Sequence, residues 1–236
     1  MSHKNSIQNI NDLKNNKRAL VSQSFFKTGK GEYGEGDIFY GLTVPQCRII
    51  VKKYANLPFV DIKKLLYSKI HESRLIALLI LVARFQKGDE KIKKTVFDFY
   101  IKHRLQVNNW DLVDSSADKI VGEFLRDKDK GILIKYAKSK NLWERRIAMI
   151  SCFAWIKRGE VVDALAMAER LVGDGHDIIQ KAVGWMLREI GKRELSPLVA
   201  FLDAHAATMP RTMLRYAIEK FSDEQRKYYL YLSSKP

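Results

Sequence analysis

The sequence predicts an all-helical protein made of repeated helix pairs, and three observations carry that expectation. Apolar residues recur at helical spacing through most of the 236 residues. Proline stands where helices begin. Related segments return at a near-constant interval.

The helical stripe is clearest in Leu75, Leu78, Leu79, Val82 and Phe85, and again in Ile147, Ile150, Phe153 and Ala154. Period-two alternation with β-branched enrichment, the mark of a half-buried strand, is scarce. Of the five prolines, three fall near the first turn of an apolar-periodic segment: VPQCRIIVKKYA, LPFVDIKKLLY and MPRTMLRYAIEKF. In that position the missing N–H of proline costs nothing. The pattern reads as roughly a dozen short helices joined by tight polar loops.

The repeat appears when ESRLIALLIL, NWDLVDSSAD, WERRIAMISCF, IQKAVGWMLRE and RTMLRYAIEKF are aligned, each opening polar and turning apolar. Taking Ala77, Val113, Ala148, Gly184 and Ala217 as equivalent gives separations of 36, 35, 36 and 33. A period of about 35 with two helices per unit lies near that of HEAT and related repeats. Small residues suit the close approach of stacked helices. The expected architecture is therefore a curved solenoid of HEAT-like helical repeats, with a non-repetitive helical bundle as the alternative. Residues 1–37 read as N-terminal helices and a Gly-rich loop, 38–221 as the repeat array and 222–236 as a C-terminal tail, all one domain. The stretch TGKGEYGEGD (28–37) places Gly29, Gly31 and Gly34 at dinucleotide-motif spacing. No strand precedes it, and Glu32, Glu35 and Asp37 would repel phosphate, so it is expected to be a flexible loop.

Composition narrows the function. Lys plus Arg number 42 against 27 Asp plus Glu, a formal net charge of +15. A field of that sign recruits polyanions, with nucleic acid the foremost. No segment concentrates basic charge beside an apolar face as a membrane-surface helix does. The longest apolar run, Leu75 to Ala83, is about half the ~20 residues of a membrane span. The polar N-terminus predicts no secretory signal. Cys47 and Cys152, each among apolar residues, read as core thiols of a reducing compartment. A cytoplasmic, nucleoid-associated protein is expected.

Templates for metal and nucleophile chemistry are missing. His3, His71, His103, His176 and His205 are scattered, with no pair at i, i+4 and no cysteine nearby, so neither metal nor cofactor is expected. Nothing resembles a nucleophile elbow or a Cys–His pair. What remains is an enzyme needing one carboxylate and a binding surface, and the segment NWDLVDS (109–115) supplies the carboxylates. On a helix Trp110 and Asp114 share a face, as do Asp111 and Ser115. A plainer reading makes Asp111 a stabiliser of the helix start and Trp110 a core aromatic.

Five segments, IFYGLTVPQCR (38–48), NWDLVDSSADKIVGEFL (109–125), LWERRIAMI (142–150), IIQKAVGWMLREIGK (178–192) and MPRTMLRYAIEKF (209–221), together resemble the AlkD-type DNA alkylation repair family of glycosylases. The resemblance implies that Asp114 is the catalytic carboxylate, and that Trp110 and Trp185 cradle the modified nucleotide. It implies that Arg146 holds a phosphate. All four residue types are retained, which argues against an inactive relative. The sequence departs from the family's pattern in a longer Gly-rich acidic loop before residue 38, and in Thr43, where a longer polar side chain can occur.

The implied reaction is hydrolysis of the N-glycosidic bond of cationic N3- or N7-alkylated purines in double-stranded DNA, without deep base flipping. Such a base leaves as a neutral molecule and needs no general acid. Affinity is then expected mainly from phosphates, with Arg48, Lys52, Arg74, Arg146, Lys181, Arg188, Arg211 and Arg215 as candidates. No lysine is poised for Schiff-base chemistry, so strand cleavage is not expected. A monomer with no obligate protein partner is expected. The competing readings are a non-catalytic HEAT-like nucleic-acid-binding module and a protein-interaction scaffold.

Overall fold

The helices begin where local chemistry satisfies their first N–H groups. Thr43 and Gln46 form a reciprocal capping box that encloses Pro45, Asp89 accepts from Ile92 N, and Asn141 accepts from Trp143 N and Glu144 N. Pro58 and Pro210 each stand immediately before a helix. A computed structural model describes residues 3–232. Within them the order is α1 (His3–Asp12), α2 (Asn16–Phe25), α3 (Val44–Lys53), α4 (Phe59–Leu66), α5 (His71–Lys87) and α6 (Glu90–His103). A 3-10 turn (Arg104–Gln106), α7 (Trp110–Ala117), a π turn (Asp118–Gly122), α8 (Glu123–Leu125), α9 (Gly131–Ala137), α10 (Leu142–Ser151) and α11 (Phe153–Ile156) follow. The chain ends in α12 (Val162–Leu171), α13 (Asp177–Gly191), α14 (Leu195–His205), α15 (Arg211–Ala217) and α16 (Asp223–Leu232). The described residues contain no strand; the nearest approach is an isolated bridge between Ile38 and Ile70.

The chain forms two compact units, the first ending at Ile120 and the second beginning at Val121. In the first, α5 is the central helix and packs against α3, α4, α6 and α7. Its sequence, HESRLIALLILVARFQK, is apolar around most of its circumference, as a helix enclosed by neighbours must be. In the second unit α13 holds the equivalent place against α10, α12, α14 and α15. Neighbouring repeats thus stack through α3, α5 and α7 in one unit and through α10, α13 and α15 in the other.

The five equivalent positions of the repeat are all buried: Ala77, Val113, Ala148 and Ala217, and Gly184. At Gly184 an added Cβ would run into the Met213 carbonyl oxygen and stand 2.6 Å from the Tyr216 Cβ. Its missing side chain is what lets α13 and α15 approach. Cys47 and Cys152 are free, buried thiols. Burial, helped by the charges of Glu72 and Asp111, pushes the Cys47 thiol up to about 12. Burial likewise raises that of Cys152.

Part of the stretch expected as a tail is helix α16, which packs against α15; its last residues, 233–236, and the N-terminal residues 1 and 2 lie outside the described residues. No described helix is long and apolar enough to cross a membrane.

Candidate active site

The Gly-rich acidic segment is tied down rather than loose. Glu32 accepts from Gly29 N at 2.8 Å and Glu35 from Gly31 N at 2.9 Å. Lys27 takes a positive φ of 56° to start the turn. Gly34 lies so close to Phe26, Lys27 and Asn109 that a Cβ would strike the Phe26 carbonyl. The segment's last residue, Asp37, is buried. It is fixed beside the start of α5 because Ile38 N donates to Lys69 O at 3.1 Å and His71 N to Ile38 O at 2.8 Å. Beyond it, the buried Glu72 carboxylate accepts from the backbone N–H groups of Tyr40, Gly41 and Leu42.

These anchors assemble a buried polar cluster at the start of α7. Asp37 meets His71 Nδ1 at 3.0 Å, Arg74 Nη2 at 2.6 Å and Asn109 Nδ2 at 3.2 Å. The other ring nitrogen, His71 Nε2, lies 2.8 Å from Asp111 Oδ2. Asn109 caps α7 by accepting from Trp110 N, and Asp111 accepts from Leu112 N. With a carboxylate on each ring nitrogen, His71 satisfies both only as an imidazolium, which has two donors. Burial opposes that charge, but Asp111 and Asp37 outweigh burial and the repulsion of Arg74, and the His71 pKa is raised. Burial likewise opposes the Asp37 carboxylate, yet His71, Arg74 and Asn109 together hold its pKa below the ordinary value. Two cations and two carboxylates thus compensate one another.

An aromatic column rises from this cluster. His71 stacks on Phe39 (4.3 Å), Phe39 on Phe26 (4.8 Å), and Phe26 on Trp110 (5.0 Å, 11° between planes). Phe25 meets Trp110 edge-on at 5.7 Å and is 63% exposed. Trp110 is half-buried, and Asp114, one turn along α7, is half-buried too. The C-terminal end of α2, through Phe25 and Phe26, therefore furnishes the floor on which Trp110 lies.

Trp110 and Asp114 share α7 in the first unit, while Asp111 turns to His71 and Ser115 donates to Leu112 O. In the second unit Arg146 and Trp185 stand on the neighbouring helices α10 and α13. Trp185 is half-buried, its ring 5.5 Å from that of Phe153. Arg146 is buried, with Nη1 donating to Ile178 O at 2.6 Å. The other two aromatic indoles of this unit, Trp143 and Trp155, are core.

Among the expected phosphate ligands, Arg48, Lys52, Arg211 and Arg215 are exposed. Lys181 is half-buried and pairs with Asp177 at 2.8 Å. Arg74 departs from the expectation. It is 3% exposed, and its guanidinium bonds Asp37 and Ser68 O, so its charge serves the interior. Arg188 is largely buried and its charge is met by Glu219.

Asp37, His71, Phe26 and Glu72 are the residues that sequence reasoning passed over. Asp37 was hidden in a loop dismissed for its acidity. For His71 and Glu72 a signal existed: HESR is a polar cluster immediately before a long apolar run, a place where side chains meet other elements rather than solvent. Among the described residues no group of three His, Cys, Asp or Glu side chains could hold a metal ion.

The sequence pattern of the family described as "DNA alkylation repair enzyme" matches residues 6–221. No curated protein matches the sequence. Among solved structures, the fold is similar to a predicted DNA alkylation repair enzyme from Enterococcus faecalis, with a TM-score of 0.67 at 16% identity, covering 89% of this chain and 97% of that one. It is also similar to AlkD2 from Streptococcus mutans (TM-score 0.52, 19% identity, 88% of this chain and 99% of that one). A third, smu.31 from Streptococcus mutans UA159, gives a TM-score of 0.51 at 18% identity over 99% and 98% of the two chains.

Proposed function

The chain belongs to the DNA alkylation repair enzyme family, and from that premise we propose that it is a DNA glycosylase hydrolysing the N-glycosidic bond of cationic N3- or N7-alkylated purines in duplex DNA. The observation that carries this reading is the Trp110–Asp114 pair, one turn apart on a helix whose first turn is anchored on both sides of Trp110.

The chemistry asks little of the protein. Alkylation leaves the base positively charged, so the C1′–N bond breaks with its electron pair moving onto the base, which departs neutral. Positive charge develops on the deoxyribose, and water adds at C1′ with loss of a proton. A carboxylate held beside that sugar stabilises the growing cation, a form of electrostatic catalysis that needs no general acid. Asp114 takes this role and orients the water. The indole face of Trp110 attracts the same charge through its π density. The resemblance would give Arg146 a flanking phosphate, but like Arg74 it is buried and its guanidinium donates to a backbone carbonyl, that of Ile178, so more exposed cations are left to carry such contacts. Arg48, Lys52, Lys181, Arg211 and Arg215 supply non-specific affinity for the backbone.

The test is release of 7-methylguanine or 3-methyladenine from methylated duplex DNA. Asp114→Asn should bind the duplex as the parent does and lose about a hundred-fold or more in release rate. Undiminished release by that variant overturns the reading.

A further inference from the structure

We propose that His71 is a positioning residue for the reaction assigned above: bridged between Asp37 and Asp111, its protonated ring locks the first turn of α7 and so aims Trp110 and Asp114. This inference rests on the glycosylase reading for its catalytic consequence, but not for its geometry.

The geometry is specific to the ring's two nitrogens. Nδ1 faces Asp37 and Nε2 faces Asp111, at 3.0 and 2.8 Å. The imidazole is 2% exposed, so no bulk water replaces a lost partner. A neutral ring carries one N–H, and one of the two carboxylates would then face a lone pair in a buried place. The two carboxylates do not stand to lose equally. Asp37 keeps Arg74 and Asn109. Among the described residues, Asp111 would keep the N–H of Leu112, within its own helix, and His71 is its side-chain tie to the rest of the unit.

Trp110 lies between two tethered neighbours, Asn109 through Asp37 and Asp111 through His71. The same His71 ring begins the aromatic column that ends on the Trp110 indole. Proton loss at His71 therefore loosens the helix start and the column together. The charged groups facing the ring are Asp37 from the loop, Asp111 from α7 and Arg74 from its own helix, while the neighbouring Glu72 carboxylate is turned to the N–H groups of Tyr40, Gly41 and Leu42. On α3, the Cys47 thiol stays protonated, its pKa pushed up to about 12. The two carboxylates in contact prevail, raising the His71 pKa.

The experiment uses the full chain. Imidazole nitrogen NMR, with His71 assigned by loss of its signals in His71→Gln, should show a ring that holds both protons to a pH above about 6.5, the ordinary histidine value. The Trp110 indole N–H resonance, assigned with Trp110→Phe, should shift with the same midpoint. An indole signal indifferent to that titration overturns the proposal, and this arm needs no activity. In single-turnover release of 7-methylguanine, the parent rate should decline toward alkaline pH with the His71 midpoint. His71→Gln should be slower by about ten- to a hundred-fold at neutral pH and lose that decline, with duplex affinity unchanged. A folded His71→Gln protein matching the parent in rate and pH profile refutes it. If the parent releases no alkylated base, the glycosylase reading falls, and the indole titration alone decides whether His71 positions α7. If His71→Gln does not fold, the parent's indole titration decides in the same way.

Discussion

Replacing Gly184 with alanine opposes two effects whose sizes can be worked out. Gly184 is interior to α13, where alanine is the better helix former by about 0.8–1 kcal/mol. Had the residue faced solvent, Gly184→Ala would stabilise the protein by that amount. It faces α15 instead, and the new Cβ collides with the Met213 carbonyl oxygen and comes within 2.6 Å of the Tyr216 Cβ. The obstruction is helix backbone, so no rotamer change relieves it. Restoring ordinary contact requires α15 to retreat by about 1 Å, against attraction that falls steeply with separation. Overpacking of this kind costs roughly 1–3 kcal/mol, and a rigid neighbour places it toward the upper end. The steric term wins, leaving a net loss of about 1–2 kcal/mol. Urea unfolding followed by tryptophan fluorescence reads the change as a lower midpoint at constant slope. Gly173→Ala is the matched control, since nothing lies within 4 Å of an added Cβ there. It should be neutral or slightly stabilising. A Gly184→Ala protein as stable as its parent would refute the close α13–α15 crossing, and with it the account of why the repeat keeps a small residue at this place.

Charges proposed to face DNA and charges that hold the fold should respond differently to substitution. Arg215→Ala, at an exposed site, should lower the salt slope of duplex binding by about one unit, read by fluorescence anisotropy. Arg74→Met should leave that slope unchanged while destabilising the chain by about 1.5–3 kcal/mol, because the buried Asp37 carboxylate loses one charged partner and keeps His71 and Asn109. A parallel fall in slope would show that Arg74 reaches phosphate after all. Asp37 also sets an acid limb. Its folded pKa is lowered, so the stability it contributes is present above about 3.9, the unfolded value, and is lost as pH falls through the folded one. Asp37→Asn should flatten the melting temperature against pH in that range, and a curve merely displaced in parallel would refute the assignment. The alkaline counterpart belongs to His71, whose raised pKa gives a contribution complete below about 6.5 and lost as pH rises through the folded value.

The helical layering was readable because burial and sequence share a period. Ala77, Val113, Ala148, Gly184 and Ala217 recur every turn of the repeat, and each is packed in the interior. Proline placement was readable for a similar reason, since its constraint is local: Pro45, Pro58 and Pro210 all mark helix starts. The polar cluster had no such periodicity. Asp37, His71, Asn109 and Asp111 meet across 74 positions of sequence only after α5 and α7 have packed. Charge counting misjudged Arg74 because composition records how many cations there are and not which are paired inside. Trp110 and Asp114 were visible as a helical i, i+4 pair, but the Phe26 floor beneath Trp110 depends on where the N-terminal helices fold back.

The buried cluster is an expensive way to hold a helix if stability is all that is required. Desolvating two carboxylates, a guanidinium and an imidazolium offsets most of their mutual attraction, and well-packed apolar side chains of similar volume often do as well or better. The hydrophobic effect, however, is non-directional, whereas a hydrogen bond weakens steeply when its angle changes. Hydrogen bonds of 2.8 and 3.2 Å to Asp111 and Asn109, on either side of Trp110, restrain rotation of α7 about its axis directly. Rotation is the coordinate that matters here. On an eight-residue helix, a turn of about 20° carries a side chain several ångströms from the axis through roughly 2 Å at its tip. Electrostatic stabilisation of a sugar cation by one carboxylate does not survive such a displacement unweakened, and a misplacement of about 1 Å can cost a hundred-fold in rate. The single-carboxylate mechanism proposed here would place a premium on fixing the angle of α7, and the directional bonds through His71 and Asp37 would meet that need.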